Sequence, residues 1–236
     1  FFQNALLCTI LIGVSCGLIG TYIVAKRMVF ISGGITHASF GGLGLAYFLG
    51  LSPLFGAAVF ALAAAFCILY LSDSKRFKED SLIGIFWSAG MAIGVLFIYL
   101  TPGYAPNLLS YLFGNILTVT GEQVALSLVL CLVIVLFFAK FYRPLFYIAF
   151  DKEYSRTHFV ALNGLEIGVT ALIALCIVLC MKLAGIILVI SYLTMPQAIA
   201  GMFHKNFTKQ LVWSTIVSCG GSIIGLFASA ALKLPS

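Results

Sequence analysis

Charge is what this 236-residue chain has least of: only 8% of its residues are Asp, Glu, Lys or Arg, and seven of those are acidic. An ordinary soluble domain is about a quarter charged. With 62% of the residues hydrophobic, the surface of a water-soluble fold would have to be mostly apolar. That excludes a cytosolic enzyme, a nucleic-acid-binding domain, a disulfide-stapled secreted module and a disordered linker. Several motifs are missing as well. No G-x-x-x-x-G-K-[ST] occurs, so the chain cannot cradle ATP phosphates in a P-loop, and there is no H-E-x-x-H or EF-hand loop. No C-x-x-C pair exists, and all seven cysteines fall inside apolar runs, where they read as small buried hydrophobes rather than as a disulfide or zinc framework. No cleavable signal pattern precedes the first apolar run.

What remains is a set of long apolar segments, with a mean hydropathy of +1.16. A span needs roughly 20 apolar residues, so the chain holds about eight. They are expected near 5–25, 29–50, 54–72, 82–101, 122–140, 166–181, 183–202 and 211–231. The fold class is therefore all-α: a multi-pass helical membrane protein, with residues 1–236 as a single transmembrane domain. The net charge of +6 reflects loop chemistry rather than a nucleic-acid partner. Eleven of the 13 basic residues lie on one side of the alternating spans, which the positive-inside rule makes cytoplasmic. Both ends then lie outside. The chain opens at Phe1 and stops at Ser236, which predicts trimming at one or both ends.

Chemistry-bearing residues are few. Nearly all carboxylates sit at span ends, whereas a proton-driven carrier is expected to keep one near the midplane. The one ionisable residue inside a span is His37, flanked by Ser32, Thr36 and Ser39. Intramembrane imidazole is costly and usually faces a bundle interior or wet cavity, and neutral imidazole is also the commonest metal ligand. A structural His that only fixes helix packing is the competing reading. Pro196, between Thr194 and Gln197, predicts a kink in the seventh span and a freed carbonyl that these neighbours repair. Packing alone, or a bend lining a pathway, would both use it. The longest polar stretch, about 140–165, contains Phe150-Asp151-Lys152-Glu153-Tyr154-Ser155-Arg156, with Asp151 placed as a helix N-cap. It predicts a short amphipathic helix presented to a soluble partner, against an ordinary solvated loop. The segment 102–117 is too apolar for a free loop and predicts an interfacial or re-entrant piece. Four-residue spacings of small residues at Gly13/Gly17, Gly90/Gly94, Gly221/Gly225 and Gly42-Ala46-Gly50 predict close helix contacts, those at Gly90/Gly94 and Gly221/Gly225 being candidate dimer faces.

Five blocks together resemble the membrane permeases of ABC-type manganese, zinc and iron importers. They are the segment from Ser32 to Gly44 with its Thr36-His37-Ala38 core, Glu79-Asp80-Ser81-Leu82-Ile83-Gly84-Ile85, Tyr111-Leu112-Phe113-Gly114-Asn115, Phe150-Asp151-Lys152-Glu153-Tyr154, and the run from Gly185 through Pro196-Gln197-Ala198. They occur in the family order across essentially the whole chain. Two positions depart from it: Gly33 stands where the family often has an acid, and Gln197 where it has a small residue. The resemblance implies a type II ABC importer permease, without catalytic activity or a covalently bound cofactor, in a bacterial inner membrane. It implies a homodimer served by two separate P-loop ATPase subunits that hold the ATP, and by an extracytoplasmic metal-binding protein. It further implies a divalent metal ion as cargo and a final span beyond Ser236. On that resemblance His37 takes the metal. Ser32, Thr36, Ser39, Thr194 and Gln197 line the pathway, and Phe150, Asp151, Lys152, Glu153, Tyr154 and Arg156 couple to the ATPase. A permease for a metal chelate (siderophore or corrinoid), a proton-coupled secondary transporter and an intramembrane enzyme built on His37 and Ser39 are the alternatives.

Overall fold

The computed structural model describes residues 2–73, 77–101, 114, 116, 119–158 and 162–232, without the side chains of Arg156 and His158. The expectation for segment 102–117 therefore falls almost entirely outside the described residues. Nine helices are present among them: α1 (Phe2–Ala25), α2 (Phe30–Phe48), α3 (Pro53–Asp73), α4 (Glu79–Leu100), α5 (Gly121–Phe150), α6 (Lys152–His158), α7 (Leu162–Ala184), α8 (Ile186–Phe203) and α9 (Phe207–Leu232). All but α6 match the eight expected spans in order. Seven of these eight are long and apolar enough to cross a membrane. The eighth, α2, has 19 residues and so reaches about 28 Å, close to a hydrocarbon core. Its glycines, hydroxyls and His37 make it the polar exception.

Helix ends follow local chemistry. Arg27 adopts a left-handed φ of 61° after α1, and Met28 N–H reaches Ile23 O at 3.0 Å, closing the helix with a Schellman turn. Gly50, at φ 69°, does the same for α2, with Leu51 N–H on Ala46 O at 2.8 Å. Gly50 therefore ends a helix instead of packing one, unlike the other members of its four-spaced set. Glu79 and Asp80 place negative charge in the first turn of α4, where the helix dipole favours it. The fifth helix differs most from expectation. It runs to Phe150, not 140, because Leu145, Ile148 and Ala149 give the extra turns a buried face. Its backbone leaves helical geometry at Phe141 (φ −109°, ψ 23°), three residues before Pro144, whose missing N–H leaves a carbonyl one turn back unbonded.

The chain divides into two compact units: 1–29, 114–166 and 190–236 form one, 30–113 and 167–189 the other. In the second unit, α2 packs against both α3 and α4, backbone on backbone. A Cβ added at Gly44 would stand 2.5 Å from Gly94 O, one at Gly41 2.8 Å from Gly90 O, and one at Gly42 2.6 Å from the Cβ of Phe60. Gly90 and Gly94 are thus occupied inside the unit by Ala38 and Phe40, which removes them as a dimer face. Lipid gives helices no hydrophobic reason to associate, so such close approach is what holds them.

In the first unit, α1 is the hub. Gly13 and Gly17 lie against Cys219 and Thr215 of α9, and Gly20 lies against Gln197 of α8. Toward α5, Cys8 meets Ser127 at 3.5 Å and Tyr22 packs edge-on to Phe138 at 6.4 Å. Gly221 and Gly225 face open space. Five of the seven cysteines are buried, Cys219 is half-buried and Cys67 is exposed on α3.

Candidate functional site

Three sets of residues carry the polar chemistry, and each sits within one unit. The first is on α2. His37 is half-buried, and its ring stacks on Trp87 of α4 with centroids 4.4 Å apart and planes 17° apart. Its Nδ1 is buried and has no hydrogen-bond partner. Ser32, Thr36 and Ser39 are fully buried around it in sequence. Thr36 donates to Ser32 O at 2.5 Å and Ser39 to Ile35 O at 2.7 Å, so those hydroxyl protons are used by the helix itself. Among the described residues, His37 belongs to no group of three His, Cys or carboxylate side chains within ligating reach. The arrangement offers one imidazole nitrogen, since Thr36 and Ser39, one and two residues away along the helix, do not share its face. It does not offer a closed four-ligand cage such as structural zinc requires.

The second set surrounds Pro196 in α8. Proline deprives Tyr192 O of its usual donor, and Gln197 Nε2 supplies one at 3.4 Å while also reaching Cys16 O of α1 at 2.9 Å. Gln197 is 3% exposed, and its Oε1 has no partner. Thr194 donates one turn back, to Ile190 O at 2.7 Å. The repair expected of these neighbours thus comes from Gln197, and the same amide joins α8 to α1.

The third set is the turn between α5 and α6. Asp151 Oδ1 accepts the Tyr154 N–H at 2.9 Å, which makes Asp151 the N-cap expected of it. Lys152 forms an ion pair with Glu166 at 2.9 Å, tying α6 to the first turns of α7. Phe150, Asp151, Glu153 and Tyr154 are exposed, so this end of the unit presents rings and carboxylates together. The Arg156 side chain lies outside the described residues.

Comparison with known proteins bears on what these sets serve. The sequence profile of the ABC 3 transport family matches residues 1–236. The chain belongs to the ABC 3 transport family. An uncharacterized membrane protein of Synechocystis sp. is 39% identical over 239 residues, covering all of this chain and 84% of that one. The manganese import system permease protein ScaB of Streptococcus gordonii is 30% identical, covering 96% of this chain and 81% of its own. Among solved structures, PsaBC from Streptococcus pneumoniae in complex with Fab superposes with a TM-score of 0.85 at 29% identity, over 99% of this chain and 84% of that one.

Membership of the ABC 3 transport family makes this a multi-pass membrane protein of a transport system. Several residues of consequence were not singled out from sequence. Trp87 had no motif around it. Glu166 read as one more carboxylate at a span end, and only the fold brings Lys152 to it. Tyr142, Phe146 and Phe207 carried no motif either.

Proposed function

We propose that this chain is the permease subunit of an ATP-driven importer of divalent transition-metal ions in a bacterial inner membrane, with manganese as the leading cargo. The observation that carries the reading is the match, over nearly the whole chain, to a relative named for manganese import. The permease works as a homodimer, with separate P-loop ATPase subunits below and an extracytoplasmic metal-binding protein above. ATP binding and hydrolysis shift the membrane part between outward-facing and inward-facing states, because a partner biases the state it contacts better.

The residues fit that division of labour. The α5–α6 turn offers exposed Phe150, Asp151, Glu153 and Tyr154 on a capped, ion-paired element, which suits docking of a soluble ATPase. His37 supplies a buried imidazole nitrogen with no hydrogen-bond partner, a single ligand, which suits passage rather than retention. A transport site has to bind weakly enough to release. Zinc and iron are the competing cargoes.

The test is uptake of radioactive manganese, zinc and iron into proteoliposomes holding the full complex. ATP-dependent manganese uptake is expected, and His37→Ala should lower it at least about tenfold with assembly intact, since changes merely near a ligand cost about 10- to 100-fold. Uptake driven by a pH gradient without the ATPase would overturn the reading. Unchanged uptake in His37→Ala would remove His37 from the path.

A further inference from the structure

The short helix α6 is fastened to its surroundings, yet the helix before it is broken. Asp151 caps α6, Lys152 ties it to Glu166, and Tyr154 packs on Tyr147 at 5.4 Å. Any displacement of α6 therefore enters the last turns of α5. It meets the break at Phe141 before it can reach the rest of that helix. A broken helix bends at the break instead of moving as one rod.

A second route is built into the same unit. Tyr142, Phe146 and Phe150 are spaced by four residues and so share one face of the end of α5. Phe207, the first residue of α9, packs on all three rings, with centroids 6.0, 5.5 and 5.9 Å away. It is 4% exposed, whereas Phe150 is 59% exposed. Next to it, the hydroxyls of Tyr142 and Thr208 meet at 2.6 Å. Beyond Phe207, α9 continues unbroken and proline-free to Leu232, and its Thr215 and Cys219 touch Gly17 and Gly13 of α1. Asn206 caps its start by accepting the Thr208 N–H at 2.9 Å.

We propose that Phe207 is the positioning residue through which movement of α6 reaches the membrane part of this unit, by way of α9 and not along α5. The proposal rests on the reading that α6 docks an ATPase. It assigns to Phe207 the transfer of that motion and no contact with the ion.

The experiment measures ions imported per ATP hydrolysed by the full complex in proteoliposomes, for the unaltered chain, Phe207→Ala, Phe207→Leu and Phe207→Tyr. The ratio should fall about tenfold in Phe207→Ala, the usual scale of a coupling between two sites, while ATP hydrolysis stays within about twofold. Phe207→Leu should fall less, and Phe207→Tyr, which keeps the ring, should return to the unaltered ratio. A purely structural role would lower uptake and hydrolysis together as less complex assembles, leaving the ratio unchanged, and that result overturns the proposal. If Phe207→Ala fails to assemble, the ratio in Phe207→Leu decides, and a value equal to the unaltered chain overturns it likewise. Absence of any ATP-dependent uptake by the unaltered chain would instead sink the functional reading itself.

Discussion

The contact of α2 with α3 and α4 and the joint between the end of α5, α6 and α9 solve the same packing problem in opposite ways. In the first, glycine meets glycine, as at Gly41–Gly90, Gly44–Gly94 and Gly42–Gly56, so backbones touch with no side chain between them. In the second, rings intervene everywhere: Phe146 on Phe150 at 4.9 Å, Phe146 on Tyr147 at 5.5 Å, and Phe207 across the set. Backbone contact leaves nothing that can rotate out of the way. Aromatic pairs keep most of their attraction over a range of offsets and angles, each worth only about 0.5–1.5 kcal/mol beyond area burial. The difference teaches where this chain can yield. Helices around His37 are fixed by sterics, and the α5–α6–α9 joint is held by rings that stay in contact as the angle between the helices changes.

The largest effect should come from forcing a side chain into the rigid contact. A Cβ at Gly44 would stand 2.5 Å from Gly94 O and 2.8 Å from its Cα, and backbone atoms cannot swing aside as a side-chain tip can. Gly44→Val should therefore destabilise the purified chain by about 3 kcal/mol, the upper range for overpacking, read as a lowered thermal unfolding temperature in detergent. A loss under about 1 kcal/mol would mean the helices separate easily, and the contrast between the two regions would collapse.

How much of this was legible in the sequence follows the same divide. The spans and their order were readable because apolar length is a one-dimensional property, and each of the eight expected spans has its helix. The Asp151 cap and the Gln197 repair were readable too, since both act within a few residues of their own position. The extension of α5 to Phe150 was missed because Lys140 and Arg143 look like the end of a span. Their charges sit on exposed positions, while Leu145 and Ile148 keep the other face buried. Phe207 and the Lys152–Glu166 pair were out of reach because they depend on which helices meet. Spacing also misled at Gly221 and Gly225, which look like Gly90 and Gly94 in sequence yet touch nothing within 4 Å.

A middle-sized effect should come from the ion pair that steadies the joint. Glu166 is buried and Lys152 only partly so. Removing the cation strands a carboxylate, whereas removing both charges does not. Lys152→Ala should cost about 2 kcal/mol, less than for a deeply buried pair because water reaches the lysine. Lys152→Ala combined with Glu166→Gln should recover most of that loss. The readout is thermal unfolding across all four members of the cycle, and strictly additive losses would show that the two side chains do not depend on each other.

The smallest effect sharpens the comparison most, because it uses the same substitution with the opposite outcome. Gly225→Ala adds a methyl group to an exposed position on α9, where nothing lies within 4 Å, and alanine is the better helix former by about 1 kcal/mol in water. Unfolding of the purified chain should stay where it is or rise slightly. Gly44→Ala adds the same methyl group against the backbone of Gly94 and should lower it. Helix propensity favours alanine at both positions, so a difference in sign between them can come only from what the methyl group meets. If both substitutions lowered stability alike, the cause would lie in glycine itself, and the α2 contact would owe nothing special to its backbone approach.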